Sequence, residues 1–297
     1  MTMTAEERYP HLLANVARMA DQSDEARIDY IGRDRFVVHN RAEEVLTDME
    51  MLYRMEDSVR PQGRLLVGRS LMGKSAIIEQ FMKNHRADDN PEGDAAIVPV
   101  MAIQYPESAK EGVYPEILRK YNATPSSNAK PNQIRTDAIN LLQTCGCRLL
   151  IIDEIHNLLE GSATAQRKGL NSIKYLMNEL RRPVIVAGTL EAINAVQSDT
   201  QIASRLKLMP LKRFKINEDF MELLAGFEML IPLRRPSNLL DGMIPDLIHQ
   251  STIGVTGPIS DLLNKAAILA IRSGKEMITE DEIKQCIGDD QIDISEL

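Results

Sequence analysis

Short apolar runs alternate with amphipathic segments through the middle of the chain. Five apolar runs predict buried strands, at residues 64–68, 97–104, 148–153, 183–188 and 207–211. Apolar residues at helical spacing lie between them, for example at residues 75–85, 133–144 and 165–180. Continuous apolar strands that alternate with helices are typical of a parallel sheet covered on both faces.

The pattern is different on either side of this region. Residues 1–60 are predicted to be helical, with one helix from about Asn40, and only helical spacing remains after about Lys215. We therefore expect an α/β fold in which a parallel sheet core is followed by a small all-helical lid. The predicted parts are an N-terminal helical segment (1–60), an α/β core (61–215) and a helical lid with an acidic tail (216–297).

Composition favours a globular protein of the reducing cytoplasm. Hydrophobic residues make up 43% and charged residues 26% of 297 residues, which is ordinary for such proteins. No apolar stretch approaches the ~20 residues of a membrane span, and no secretory signal is visible at the start. Cys145, Cys147 and Cys286 form no disulfide framework. The Cys145–Cys147 pair could be half of a metal site, but buried thiols are the preferred interpretation.

The net charge of −8 is unevenly distributed. From Glu276 onward the chain has eight acidic residues and one lysine, so that the tail holds most of the excess. The remainder is close to neutral and contains local basic clusters. Overall acidity therefore does not exclude a nucleic-acid partner.

A phosphate-binding motif lies between the first strand and the following helix. Gly68-Arg-Ser-Leu-Met-Gly73-Lys74-Ser75 matches G-x-x-x-x-G-K-[ST] in full. In such loops the backbone N–H groups hold the phosphates, the lysine reaches the β- and γ-phosphates, and the serine holds Mg²⁺. We therefore predict Mg-ATP binding. The predicted contact residues are Gly68, Arg69, Ser70, Leu71, Met72, Gly73, Lys74, Ser75 and Ala76.

Polar residues follow two of the other apolar strands. Asp153 ends one strand and is predicted to contact Mg²⁺ together with Ser75, while Glu154 is placed to deprotonate the attacking water. Thr189 ends the strand at 184–188 and is expected to sense the γ-phosphate. The alternative role for Thr189 is an N-cap of the next helix.

One arginine is a candidate for completing a neighbouring subunit's site. Ser204-Arg205 precedes the last strand, and a guanidinium there could act as an arginine finger. The alternatives are a surface arginine, or Arg213 as the finger. The basic residues Lys207, Lys212, Arg213 and Lys215 are expected beside Arg205 at a subunit interface.

Two other nucleotide-dependent classes fit less well. Asp153-Glu-Ile-His156 spells the D-E-x-H box of superfamily-two helicases, but those enzymes need a second sheet that the sequence does not predict. His156 is instead expected to make a polar contact after the strand. Asn264-Lys-Ala-Ala lacks the acid of the guanine-specific N-K-x-D motif, so ATP is preferred over GTP.

Taken together, these motifs resemble an AAA+ ATPase, and more narrowly the TniB/TnsC family of transposon target-selection proteins. The resemblance covers about 40–290. It rests on the segments HNRAEEVL (39–46), LLVGRSLMGKS (65–75), LLIIDEIHNLL (149–159), VIVAGT (184–189) and TGPISDLLNKAAILAIRSG (256–274). One departure is Pro258 after Gly257, where many relatives carry a sensor-2 arginine. Arg272 lies too far along the helix to replace it simply.

The resemblance implies a cytoplasmic bacterial ATPase with several partners. It would form a homo-oligomeric ring or helical filament on double-stranded DNA, recruit a transposase and disassemble on hydrolysis. No membrane partner is implied. Related proteins contact DNA through the region after the second strand, where neutralised phosphates would make binding salt-sensitive. Here that region contains Lys110, Arg119, Lys120, Thr124 and Lys130.

Other interpretations of these features remain. The basic residues after the second strand could form a solvated face without DNA contacts. The chain could instead be an AAA+ loader or initiator-type ATPase acting on a replication protein, or a signalling ATPase that binds only proteins. DNA-dependent assembly would distinguish the transposition regulator from the loader and from the signalling ATPase.

Overall fold

The computed structural model describes residues 3–107, 112–125 and 128–289. The chain divides into two compact units. We call residues 44–212 the sheet unit, and residues 1–43 together with 213–297 the helical unit. The sequence-based division gave residues 1–60 a segment of their own, whereas the structure groups the first helices with the C-terminal ones. The reason is hydrophobic, because Ile31 and Val37 belong to the same buried cluster as Phe220 and Ile259.

Helices account for about half of the described residues. In chain order they are α1 Ala5–Arg8, α2 Ala14–Ala20, α3 Asp24–Ile31, α4 Asn40–Tyr53, α5 Lys74–Asn84, α6 Val113–Lys120, α7 Pro131–Thr144, α8 Ala163–Leu180, α9 Ala192–Gln197, α10 Thr200–Ala203, α11 Glu218–Leu230, α12 Ile244–Thr252, α13 Thr256–Arg272 and α14 Glu280–Asp289. A 3₁₀ helix spans Ile155–Glu160. Local signals set several starts: Ser162 caps α8, Asn217 caps α11, and Pro131 opens α7.

The sheet unit contains a five-stranded parallel sheet, as predicted. The strands are β1 Gly63–Gly68, β2 Val100–Gln104, β3 Leu149–Asp153, β4 Val184–Gly188 and β5 Leu206–Leu211. Their spatial order is β2-β3-β4-β1-β5, and every pairing is parallel. The predicted second strand began too early, at residue 97. Ile97 instead forms an isolated antiparallel bridge with Asp88, and Pro99 has no N–H to donate.

Both faces of the sheet are buried. On β3, Leu150 and Ile152 join a cluster with apolar residues of α6, α7, α8 and α9. Leu149 and Ile151 are equally buried but lie outside that cluster, as expected for alternate residues of a strand. α5 packs against β1 and β2. This double coverage explains why the strands read as continuous apolar runs.

The helical unit is held together by an apolar cluster and by a buried ion-pair network. Arg27 of α3 is fully buried. Its guanidinium donates to both carboxylate oxygens of Glu276, at 2.6 and 2.7 Å, and to Asp24 at 2.7 Å. It also donates to the carbonyl of Pro232 at 3.1 Å. The network therefore ties the N-terminal helices to the segment between α13 and α14.

The part of the chain that the structure describes has neither a membrane-spanning helix nor a disulfide. Among the described residues, no helix is long and apolar enough to cross a membrane. Cys145, Cys147 and Cys286 are buried and unbridged. Burial raises the pKa of the Cys147 thiol to about 12, which keeps it protonated and unreactive near neutral pH.

Candidate functional site

The predicted phosphate loop and both groups of polar residues meet at one edge of the sheet. The loop follows β1, Asp153 ends β3 and Thr189 follows β4. Since these strands are parallel and lie in the order β3-β4-β1, their carboxyl ends share that edge. Ligand sites of open α/β sheets form at this edge.

The phosphate loop has two residues in left-handed conformations. Gly73 has φ +88°, and a side chain there would point into open space. Leu71 has φ +63° without being glycine, and it is 63% exposed. Met72 is buried beside Gly68. The remaining loop residues, which are exposed, are Arg69, Ser70, Ser75 and Ala76.

Lys74 is buried, and its ammonium group contacts the phosphate loop. Its side chain is only 7% exposed, and Nζ donates to the carbonyls of Gly68 at 3.0 Å and Arg69 at 3.1 Å. Burial lowers the pKa of the ammonium below its usual value, and the carboxylates of Asp153 and Glu154 oppose that shift. Within the described ranges no carboxylate forms an ion pair with Lys74. The site therefore contains a desolvated cation whose bonds go to neutral carbonyls.

The structure joins the predicted magnesium ligands directly. Ser75 Oγ donates to Asp153 Oδ2 at 3.2 Å, although the two residues are 78 positions apart. Asp153 is buried, and its other oxygen accepts the N–H of Glu154 at 2.8 Å. In the described residues no group of three or more His, Cys, Asp or Glu side chains could hold a metal ion. A hydroxyl beside one carboxylate fits Mg²⁺ that arrives with phosphate and water ligands.

Glu154 has a left-handed backbone and a partner two residues further on. Its φ and ψ are 56° and 34°, and it precedes the 3₁₀ helix. His156 Nε2 lies 3.1 Å from Glu154 Oε2. A polar contact was expected for His156, but not this partner. Side chains two positions apart on a helix do not face each other, so the contact depends on the left-handed turn at Glu154, which no sequence signal announces.

Thr189 lies between the phosphate loop and the acidic pair, since β4 separates β1 from β3. Its hydroxyl donates to Glu191 at 3.4 Å. The alternative role as a helix cap is wrong, because the N-cap of α9 is Glu191. Gly188 allows a close approach here, since a Cβ on it would lie 3.0 Å from Ile155 and 3.4 Å from the backbone nitrogen of His156.

Arg205 lies at the opposite end of the parallel strands from the phosphate loop. In the pairing of β1 with β5, Gly63 faces Leu206 and Gly68 faces Leu211. Arg205 thus precedes the amino end of β5, about 20 Å along the strands from the start of the phosphate loop. Its guanidinium donates to Asn178 at 2.6 Å. An arginine side chain is too short to span that distance, so Arg205 cannot reach its own loop.

Of the basic residues expected beside Arg205, the two in the sheet unit lie toward opposite ends of β5. Lys207 is close in sequence to Arg205, but Lys212 follows the other end of β5, at the edge of the phosphate loop. Arg213 and Lys215 belong to the helical unit. The Arg213 carbonyl accepts a hydrogen bond from Arg41 at 3.2 Å. The length of β5 separates Lys207 from Lys212, and the spacing in the sequence did not reveal this separation.

The family comparison decides the identity of the chain. The model of the family described as bacterial TniB protein matches residues 27–216, which is more than half of the chain. This protein belongs to the TniB family. No curated protein matches its sequence.

Solved structures share the fold of this TniB-family protein at low sequence identity. The Orc1 protein of Aeropyrum pernix, solved with DNA, has 16% identity and a TM-score of 0.59, with coverage of 89% of this chain and 69% of that chain. Domain III of the replication initiation protein DnaA from Thermotoga maritima has 13% identity and a TM-score of 0.53, with coverage of 88% and 95%. Cdc6p of Pyrobaculum aerophilum has 16% identity and a TM-score of 0.56, with coverage of 87% and 70%. The fold is that of AAA+ ATPases.

The sensor-2 position of the TniB-family chain carries no arginine. Pro258 lies in the first turn of α13, where its missing N–H needs no helical partner. Arg272 is in the last turn of the same helix. Fourteen residues of helix separate them by about 21 Å.

The predicted DNA contacts lie around α6 and α7, which pack against each other. Arg119 and Lys120 are exposed in the last turn of α6, and Lys130 is the exposed N-cap of α7. Thr124 is exposed in the connection between them. Arg119 pairs with Glu116 at 3.0 Å. Lys110 lies outside the described residues.

Proposed function

We propose that this TniB-family protein is an ATP-dependent regulator of transposition. In this proposal it oligomerises on double-stranded target DNA, recruits a transposase and disassembles when ATP is hydrolysed. The contact of Ser75 with Asp153 beside the buried Lys74 carries the ATPase part of the proposal. It brings a hydroxyl, a carboxylate and an ammonium to the end of a glycine loop, which is the arrangement that binds Mg-nucleotides.

Each residue of the site has a separate role. The N–H groups of residues 69–75 and the start of α5 bind phosphate oxygens. Lys74 exchanges its loop carbonyls for the β- and γ-phosphates, and Ser75 and Asp153 hold Mg²⁺. Mg²⁺ neutralises charge on the phosphates when it is bound. Glu154 accepts a proton from the attacking water, and Thr189 contacts the γ-phosphate.

Self-assembly is supported by the position of Arg205. Because the arginine lies at the amino end of β5, a phosphate that it stabilises must belong to another subunit. A head-to-tail arrangement of identical subunits generates rings or helical filaments. Either assembly would place one subunit's Arg205 at its neighbour's phosphate loop.

DNA binding is supported by the exposed cations of α6 and α7. Lys120 and Lys130 lie at the two ends of the connection between these helices. Both are exposed and free to approach phosphates. Contacts of this kind give salt-dependent binding without sequence preference. The transposase partner is proposed from TniB-family membership alone.

ATP turnover with and without double-stranded DNA tests the function. The expected result is DNA-stimulated turnover that is lost in Lys74→Ala and Glu154→Gln. Negative-stain microscopy with a slowly hydrolysed ATP analogue should show rings or filaments on DNA. DNA-independent turnover without assemblies would contradict the transposition role and favour an AAA+ ATPase that acts on a replication protein.

Mixing two inactive variants tests whether Arg205 acts between subunits. Arg205→Ala retains Glu154, and Glu154→Gln retains Arg205, so each should be inactive alone while the mixture regains part of the turnover. Arg86→Ala is the control, because Arg86 is exposed after α5 and should retain turnover. A mixture as inactive as its components would contradict a finger shared between subunits.

Charge reversal tests the DNA surface. Lys120→Glu and Lys130→Glu should weaken DNA binding and each reduce the slope of log affinity against log salt by about 1. Lys83→Glu on α5 is the matched control, since Lys83 is exposed and pairs with Glu79 at 2.8 Å. Equal effects of all three substitutions would show that only net charge matters.

A further inference from the structure

The turn after β3 is fixed on two sides. Ile155 is fully buried and packs closely over Gly188 at the end of β4, where a Cβ would lie 3.0 Å from it. Asn157 Nδ2 donates to the carbonyl of Tyr105, just beyond β2, at 3.0 Å. The residue between them, His156, is therefore held on a backbone that both neighbouring strands restrain.

His156 uses this position to hold one oxygen of Glu154. Nε2 lies 3.1 Å from Oε2, which is an ion-pair distance. Nδ1 of the same ring is buried with no hydrogen-bond partner, which leaves Nε2 as the working nitrogen. Among the described residues, Oε1 of Glu154 has no hydrogen-bond partner. The carboxylate is thus held by one oxygen, and the other can accept a water.

The pairing occurs at a left-handed residue. Glu154 has φ 56° and ψ 34° just before the 3₁₀ helix, and His156 of that helix contacts its carboxylate. Strained backbone of this kind persists where the surrounding structure imposes it, and it concentrates at functional sites. Glu154 directly follows Asp153, whose carboxylate accepts a hydrogen bond from Ser75 at 3.2 Å, so it lies beside the phosphate loop.

We propose that His156 is a positioning residue that orients Glu154 for the attacking water. This inference rests on the proposed ATPase function of the same site. No proton transfer is assigned to His156, which contacts the carboxylate through Nε2. Its contribution is geometric, because a general base accelerates the reaction only when it is correctly placed.

Single-residue substitutions with DNA-stimulated ATP turnover test the proposal. His156→Ala should lower kcat roughly ten- to hundredfold, as expected for a misplaced catalytic group. KM for ATP should stay within about twofold, because nucleotide binding is not altered. His156→Gln should restore much of kcat, since its amide nitrogen reaches close to the position of Nε2. His156→Asn should restore little, because its amide nitrogen is one carbon shorter in reach.

Two controls separate positioning from structural support. His85→Ala removes a comparable pair in the same unit, His85 Nε2 with Glu50 Oε2 at 2.7 Å, and should leave kcat unchanged. In a Glu154→Gln background, His156→Ala should cause no further loss.

Three results would overturn the inference. An unchanged kcat in His156→Ala, with turnover abolished in Glu154→Gln, would remove the role of His156 and leave the ATPase function standing. An equal loss in His156→Ala and His156→Gln with a lowered Tm would show structural support only. Absence of ATP turnover in the parent protein would remove both proposals together.

Discussion

The two units differ in the partners of their buried charged side chains. In the helical unit, Arg27 is fully buried and is met by two carboxylates. Glu282, also buried, accepts from Lys275 at 2.7 Å and from both the N–H and the hydroxyl of Thr279. In the sheet unit, Lys74 is 7% exposed and its bonds go to neutral carbonyls.

This difference distinguishes a structural charge from one reserved for a ligand. A buried ion pair whose partners are all present is satisfied within the protein, and removing one partner leaves the other uncompensated. A buried cation without a counterion is expensive unless another molecule supplies the negative charge. Lys74 has that character, and nucleotide phosphates would supply the charge.

The largest effect should come from breaking the network of the helical unit. Arg27→Met should lower the free energy of unfolding by about 3–5 kcal/mol, because Glu276 loses its buried partner. Urea denaturation measures the loss, and amide hydrogen exchange should locate it in α3 and α13. Arg8→Met is the control, since Arg8 and Asp21 form an exposed pair of the same unit that should contribute little to stability. Equal losses in the two variants would show that the buried ion pairs of Arg27 stabilise the fold no more than the exposed pair of Arg8.

The matching substitution in the sheet unit should affect ligand binding instead of folding. Lys74→Met removes a desolvated charge, so the free energy of unfolding should fall by less than about 1 kcal/mol or rise. The parent should gain about 2.7 kcal/mol from Mg-ATP at a hundred times its Kd, and the variant should gain little. Thermal denaturation with and without Mg-ATP measures both quantities. A large loss without nucleotide would show that Lys74 is structural.

The fold was predictable where periodicity is strong. β1, β3 and β4 are buried on both faces, so their apolar runs marked them to within one or two residues. The 3₁₀ helix at Ile155–Glu160 was missed, because a single short turn after a left-handed residue has no periodic pattern. The grouping of α3 with the C-terminal helices was also missed. It depends on the burial of Ile31 with apolar residues of the C-terminal helices and on the contact between Arg27 and Glu276, 249 positions apart, for which a single sequence has no signal.

The candidate site was predictable as a set of residues but not as a geometry. The phosphate loop and the acids at 153 and 154 were identified by motif, and parallel strands bring them together. The bonds of Lys74 to its own loop and the contact of His156 with Glu154 were not predictable. Both depend on left-handed residues, Leu71 and Glu154, which are not glycines.

A smaller effect on the free energy of unfolding should come from relieving backbone strain. Among the described residues, each unit has one exposed apolar residue with a left-handed backbone. Leu71 has φ +63° and Ile253 has φ +52°. Leu71→Gly and Ile253→Gly should each raise the free energy of unfolding by about 0.5 kcal/mol, since the left-handed cost exceeds the entropy cost of glycine. Only Leu71→Gly should also weaken ATP binding, because it loosens the phosphate loop. Urea denaturation and nucleotide titration of both variants test this, and equal changes in affinity would contradict it.

The smallest effect concerns acid stability of the helical unit. Burial opposes ionisation of Glu276, but hydrogen bonds from Arg27 and Arg234 outweigh it and hold the pKa of this carboxyl below its usual 4.5. A carboxyl with a lowered folded-state pKa stabilises the fold above its unfolded-state pKa, and that stability is lost as the pH falls from about 5 toward the folded-state value. The parent should therefore lose stability in this range, and Arg27→Met should lose less of it. Urea denaturation at pH 6, 5 and 4 gives the slope of the free energy of unfolding against pH for the parent and for Arg27→Met, with Arg8→Met as the control. Parallel slopes in the parent and Arg27→Met would show that Arg27 does not control the ionisation of Glu276.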